Sequence, residues 1–285
     1  MSSPDGGWEY ALAHPHLSLG PGVLSYRGFR LASCPLRRRL EIPCGLATLV
    51  IGFGRPLRVV PHGSPDRSRS VVSLLSPPGT GSATGEHTGG LQGVEVILTP
   101  WAAFELFGVA LHELGLGLDP AEIVGPRFHD LSQELDRTPC WTERFALVDR
   151  FLLRCRSTGR TASDRVVSAW RQLESAQGML APTALAERLE CSQRQLERRC
   201  GEQLGLTPKR LARVLRLQHA ATLLAAGIRP GEVAPRCGFY DQAHLTREFT
   251  AMTGLPPLRF VAAHQAGGAD VNRATGRITS ILLDG

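Results

Sequence analysis

Apolar positions in the first third of the chain come in short runs broken by Gly and Pro. VLSYRGFRL (23–31), LATLVIGF (46–53), PLRVV (56–60), SVVSLL (70–75) and VEVIL (94–98) each have strand length and strand composition. They predict a β-rich region from Leu17 to Leu98. SPPGTGSATGEHTGG (76–90) predicts a loop, and residues 1 to about 16 a loose leader. Helical spacing takes over after Thr99. Thr99 is a capping residue and Pro100 suits a first helical position, so WAAFELFGVALHEL predicts a helix that Gly115 ends. Further helices are predicted over 119–135 and 142–156, the second with Phe145, Val148, Phe151, Leu152 and Cys155 on one face. STGRTASD (157–164) predicts a linker. Short helices follow at 164–176, 183–189, 192–200, 208–226, 231–236, 241–251 and 256–263, then a tail of little structure from Gln265.

Two of these helix pairs have helix-turn-helix patterning. In TALAERLECSQRQLERRC (183–200), Leu185 and Leu189 form the apolar stripe of the first helix, and Ser192 is an N-cap for the second. Leu196 and Cys200 point inward, which leaves Arg194, Glu197 and Arg198 outward with Gln193 and Arg199 beside them. Long polar side chains at the start of a second helix are what reading base edges in a major groove requires. A solvated surface helix has the same composition, so this unit alone decides little. In GEVAPRCGFYDQAHLTREF (231–249), Gly238 supplies the turn and Asp241 the cap. Leu245 and Phe249 face inward; Gln242, His244 and Arg247 face outward. Leu196 and Leu245 hold equivalent places in the two units. Between them, Thr207-Pro208 starts a helix and Gly227 stops it, about 19 residues or roughly 28 Å long. One turn of B-DNA is about 34 Å, so such a strut suits two recognition helices in successive major grooves.

Charge supports that placement. Residues 160–264 carry 15 Lys and Arg against 9 Asp and Glu, whereas the rest of the chain carries 17 of each. All of the net +6 therefore lies in the segment expected to meet phosphates. The seven cysteines (34, 44, 140, 155, 191, 200 and 237) are scattered, without a C-x-x-C, and suggest buried thiols rather than disulfides or a zinc site. The longest apolar run, Leu46 to Phe53, is far below the roughly 20 residues that span a bilayer. MSSPDGGWEY is not a signal peptide, so a cytoplasmic location is expected.

With these residues in view, 163–264 resembles the DNA-binding domain of the AraC/XylS family of transcription regulators. The resemblance rests on LAERLECSQRQLERRCGEQLGLTPKRLARVLRLQHAATLL and CGFYDQAHLTREFTAMTGLPPLRF. It implies base contacts from Arg194, Glu197 and Arg198 in the first recognition helix, and from Gln242, Ala243, His244 and Arg247 in the second. Two positions depart from the family pattern. Cys200 stands where an aromatic residue usually fills the core, and Pro235 falls inside the first helix of the second unit, where it removes a backbone donor. GVEVILTPWAAFELFGVALHEL (93–114) resembles a domain that precedes this module in many bacterial members.

An enzyme reading finds no constellation. His112-Glu113 is followed by LGLGL, so an H-E-x-x-H zinc pattern fails, and no G-x-S-x-G or P-loop occurs. His62, His87, His112 and His129 suit scattered positions better than a shared metal. The expected fold class is α+β: a β-rich N-terminal domain with helices (1–158), an all-α domain of two helix-turn-helix units joined by a long helix (159–264), and a tail (265–285). The expected function is a sequence-specific transcription regulator, not an enzyme, with no cofactor and no metal. Its expected partner is a double-stranded DNA operator, with RNA polymerase, a small-molecule effector and a second copy of the chain as further candidates, and no membrane. For the N-terminal domain two readings stay open: a sensor with a pocket lined by Phe53, Trp101, Phe104 and Phe107, or a dimerisation module without ligand.

Overall fold

The computed structural model describes residues 7–266 and 276–283. The N-terminal half contains strands β1 (Trp8–Ala13), β2 (Val23–Leu31), β3 (Arg37–Glu41), β4 (Ala47–Gly52), β5 (Leu57–Pro61), β6 (Arg69–Val71), β7 (Leu74–Ser76), β8 (Ala83–His87) and β9 (Leu91–Leu98). Helices α1 (Pro100–Phe107), α2 (Pro120–Val124), α3 (Pro126–Arg137) and α4 (Trp141–Thr158) complete it. The C-terminal half holds α5 (Asp164–Ser175), α6 (Pro182–Arg188), α7 (Gln193–Leu204), α8 (Pro208–Ala225), α9 (Pro230–Arg236), α10 (Gln242–Thr253) and α11 (Pro257–Ala266), followed by β10 (Ser280–Leu282). A β-sheet region precedes a helical one, as the patterning predicts.

The strands form two five-stranded sheets, ordered β1-β2-β9-β4-β7 and β10-β3-β8-β5-β6. In the first, Tyr26 pairs with Val96 and Val96 with Leu49, and all three are fully buried. Alternation on these strands drives one face into a core that α1 and α4 close, with Phe104, Phe145, Val148 and Leu152 buried there. Gly28 makes this contact possible. A Cβ at that position would lie 2.4 Å from the Trp141 ring of α4, so a larger residue would push the helix off the sheet.

Several expectations are corrected. β1 lies within the supposed leader, hydrogen-bonded along its length to β2. β8 lies within the supposed loop 76–90: ATGEH has little apolar surface, yet it is paired on both sides. Glu86 there bonds Arg38 (3.1 Å) and Arg58 (2.7 Å) on its two neighbours, and these guanidinium partners hold its carboxyl below the usual range. Strand β3, RRRLE, has a single apolar residue, Leu40, and no apolar alternation. SVVSLL is two strands in different sheets. The helix from Pro100 ends early, at left-handed Gly108, and a 3-10 turn over Leu111–Leu114 follows. The helix expected over 119–135 is broken at Gly125-Pro126.

The segments expected as linker and tail also carry structure. α4 runs on to Thr158. Beyond it, the Ala162 amide donates to Glu105 Oε1 (3.1 Å) and the Ser163 amide to Gln203 Oε1 (2.9 Å). The tail is described only in part, and there β10 pairs with β3. Buried Gln218 of α8 donates through Nε2 to the carbonyls of Pro43 (2.7 Å) and Ile278 (2.9 Å). Arg277 bonds the Cys44 carbonyl and Glu174 of α5. One C-terminal segment thus joins the strut helix to the β-sheet region. No helix among the described residues is long and apolar enough to cross a membrane.

Candidate nucleic-acid interface

The two helix-turn-helix units repeat in detail. Leu185 and Ala186 of α6 correspond to Val233 and Ala234 of α9, all of them buried. At the turn, the Cys191 amide bonds the Ala186 carbonyl (3.1 Å) as the Phe239 amide bonds that of Ala234 (2.9 Å). Left-handed backbone is needed in both turns, at Gly238 (φ 70°) and at Glu190 (φ 48°). Glycine adopts it freely, whereas glutamate is strained there. Ser192 caps α7 by accepting from the Gln195 amide (3.3 Å), and Asp241 caps α10 by accepting from the His244 amide (2.7 Å). Leu196, Cys200 and Leu204 of α7 are buried, as are Leu245, Phe249 and Thr253 of α10.

Between the units α8 spans 18 residues, capped by Thr207, which is about 27 Å at the rise of an α-helix. Arg213 of α8 pairs with Glu248 of α10, and the Arg216 guanidinium lies 5.9 Å from the Phe239 ring centroid. Pro235 leaves α9 helical through Arg236, because its missing donor falls in the last turn. Phe249 and Phe260 meet edge to face at 5.0 Å, which fixes α11 against α10.

The expected base-reading residues fall on two faces. On α7, Gln193, Arg194 and Arg198 are exposed and Glu197 is half-buried, with Gln193 Nε2 donating to Glu197 Oε1 (3.1 Å). Arg194 and Arg198 stand one turn apart without an ion pair among the described residues. On α10, Gln242, Ala243 and Arg247 are exposed. His244 is half-buried: its Nδ1 accepts from the Tyr240 amide (3.2 Å) and its ring meets Phe239 at 5.5 Å, so part of its work is to hold the turn. Sequence reasoning passed over Tyr240. The second turn is one residue longer than the first, and that residue stands 92% exposed beside the α10 cap. The signal was available: Leu185 and Leu196 are 11 apart, Val233 and Leu245 12 apart.

The first unit carries an N-terminal neighbour. The 3-10 turn Leu111–Leu114 and α1 pack against α7. A Cβ on Gly205 would lie 3.3 Å from that of Leu111. Glu197 and Arg198 line a cleft of about 810 Å³ whose opposite wall includes Gly108, His112 and Glu113. The four aromatic residues expected to line a sensor pocket do not meet as one. Trp101, Phe104 and Phe107 are buried along α1, while Phe53 lies 4.8 Å beneath the Arg144 guanidinium. Among the described residues no three His, Cys, Asp or Glu side chains are placed to hold a metal ion. All seven cysteines are free.

Residues 185–263 match the family model described as a helix-turn-helix domain. This match lies inside the segment 163–264 that resembles an AraC-type helix-turn-helix domain. The chain is 30% identical over 98 residues to the HTH-type transcriptional activator RhaR of Salmonella dublin, a match covering 34% of each chain. It thus spans about a third of the length of that curated relative. Among solved structures, ToxT from Vibrio cholerae aligns over 90% of this chain and 98% of its own, at 9% identity and a TM-score of 0.46. The DNA-binding domain of AdpA, solved in complex with a target DNA, aligns over 36% of this chain and 96% of its own, at 27% identity and a TM-score of 0.34.

Proposed function

We propose that this protein is a sequence-specific DNA-binding regulator of transcription, acting in the cytoplasm and not as an enzyme. In this reading α7 and α10 enter two successive major grooves on one face of a duplex. Gln193, Arg194, Glu197 and Arg198 read one half of the site; Gln242, Ala243, His244 and Arg247 read the other. One observation carries the reading: two copies of one unit, joined through an 18-residue helix, each present an exposed polar face on their second helix. The strut is about 27 Å long by helical rise, close to the roughly 34 Å of one DNA turn. The concentration of positive charge in 160–264 and the name of the matched relative, a transcriptional activator, point the same way. Such a protein meets RNA polymerase at its promoters. Its N-terminal half supplies control by a small molecule or pairs two copies of the chain.

The test is selection of a duplex from a random pool with the full chain, followed by footprinting and stoichiometry. Two protected major-groove segments with centres about 10 to 10.5 base pairs apart, one chain per pair, are expected. Affinity should fall steeply with salt, as counterions leave each neutralised phosphate. Two chains per pair on a palindrome would mean that only one unit of each inserts. Salt-indifferent binding would overturn the reading altogether.

A further inference from the structure

A second cleft, of about 800 Å³, opens in the helical part of the N-terminal half, among α1, α3 and α4. Its floor is apolar, with Leu106, Phe107, Leu131, Leu147 and Phe151 contributing. That volume lies within the range of small-molecule sites, and the lining combines apolar surface with charged groups. Three guanidinia stand at its rim: Arg127 from α3, Arg154 from α4 and Arg160 just beyond α4. None of the three forms an ion pair among the described residues. Arg154 Nε donates to the Arg150 carbonyl (3.3 Å), and the Arg160 guanidinium lies 6.0 Å from the Phe104 ring centroid. The two carboxylates of the lining, Asp130 and Glu134, form no ion pair with them among the described residues, and Glu134 lies 3.8 Å from Arg150, outside the cleft. Arg127 and Arg154 come to the cleft from two different helices, α3 and α4. Burial pushes the Cys155 thiol up to about 11, and both guanidinia act on it in the opposing direction.

Two residues belong to both clefts. Gly108, the left-handed cap of α1, and Arg160 line this one and also the cleft that holds Glu197 and Arg198 of α7. A ligand that engages Arg160 acts on a side chain of the wall facing the first recognition helix.

We propose that the α1–α3–α4 cleft binds a small anionic amphipath, an apolar body with one acidic head group, and that its occupancy is transmitted to α7 through Gly108 and Arg160. The apolar body covers the floor and the head group takes the unpaired guanidinia, which are bidentate donors suited to a planar or tetrahedral anion. The site stands on the cleft alone. The transmission rests on the DNA-reading role proposed for α7.

The probe is 8-anilinonaphthalene-1-sulfonate, with N-phenyl-1-naphthylamine as its uncharged counterpart, each titrated by fluorescence into the full chain. One saturable sulfonate site per chain is expected, with the uncharged probe at least tenfold weaker. Arg127→Gln and Arg154→Gln, both on exposed side chains, should each weaken the sulfonate probe at least fivefold while leaving the melting temperature of the free protein in place. Ile123→Trp, which fills the cleft from its half-exposed edge, should abolish the site. Equal binding of the two probes, or unchanged binding in both arginine variants, would overturn the site. Saturating sulfonate probe should also shift the Kd for the selected duplex at least fivefold, and Arg160→Gln should remove the shift. An unchanged Kd would overturn the transmission and leave the site standing. A chain that bound the probe but no duplex would overturn the proposed function, and the transmission with it, again without touching the site.

Discussion

In the first helix-turn-helix unit, α7 presents Arg194 and Arg198 to solvent while the 3-10 turn at Leu111–Leu114 and α1 pack against it from the N-terminal half. In the second, α10 packs on α9 and α11 of its own domain, and it meets the N-terminal half where Gly254 ends it beside His62. The repeated inward positions are matched residue by residue, so the difference does not arise inside the units. It arises from what each is docked on. A recognition helix with a neighbouring domain beside its reading face is one whose approach to DNA that domain can alter. The N-terminal half meets α10 at its C-terminal end, beyond the outward residues Gln242 and Arg247. On the proposed reading, this asymmetry lets the N-terminal half bear more directly on the first recognition helix than on the second.

The largest effects should come from the equivalent leucines. Leu196→Ala and Leu245→Ala each remove a fully packed side chain, at an expected cost of about 2–5 kcal/mol in denaturant unfolding. Hydrogen exchange should separate them: faster exchange confined to α9–α11 for Leu245→Ala, but extending to Leu111–Leu114 for Leu196→Ala. Unchanged protection at Leu111–Leu114 in the Leu196 variant would remove the asymmetry. Next come the outward arginines. Arg198→Ala and Arg247→Ala should each cost about 1–3 kcal/mol in duplex binding and relax preference at a few base pairs, in opposite halves of the site. Wild-type preference in either variant would show that its helix does not read bases.

Smaller effects test the turns. Gly238→Ala forces an L side chain into left-handed backbone and should destabilise by about 1–2 kcal/mol, whereas Glu190→Gly should stabilise by up to about 1 kcal/mol. A loss of stability in Glu190→Gly would mean that the two turns are not equivalent. The smallest effect is expected from exposed Lys209 at the start of α8. Lys209→Ala should weaken binding evenly across sequences and lower the salt slope by about 1. A change in sequence preference there would place Lys209 among the base readers.

The sequence by itself determined the C-terminal domain. Its helices carry apolar stripes at helical spacing, and α7, α8 and α10 are capped by their own flanking side chains, so these three declare their starts and inward faces before any partner is known. Thr207-Pro208, Ser192, Asp241 and Gly238 all act where local chemistry places them. The outward residues followed from the inward ones by subtraction. Tyr240 escaped because the extra residue alters the spacing between the two helices, 12 against 11, and not the period within either.

What only the tertiary structure decided lies in pairing and docking. Strands β8 and β3 have almost no apolar signal, because their stability comes from hydrogen bonds and ion pairs to neighbours distant in the chain: Glu86 meets Arg38 and Arg58 only once three strands are aligned. β10 exists because β3 offers an edge and Gln218 accommodates the chain that leads to it. Of the aromatic residues expected around a pocket, Trp101 and Phe104 were drawn into the core beside α1, whereas Phe107 lines the α1–α3–α4 cleft and Phe53 lies under the Arg144 guanidinium. The cleft that did form is rimmed by Arg127, Arg154 and Arg160 from three separate places in the chain. Local patterning specifies an element's period and its caps; which surfaces meet depends on long-range packing, and no window of sequence contains both partners.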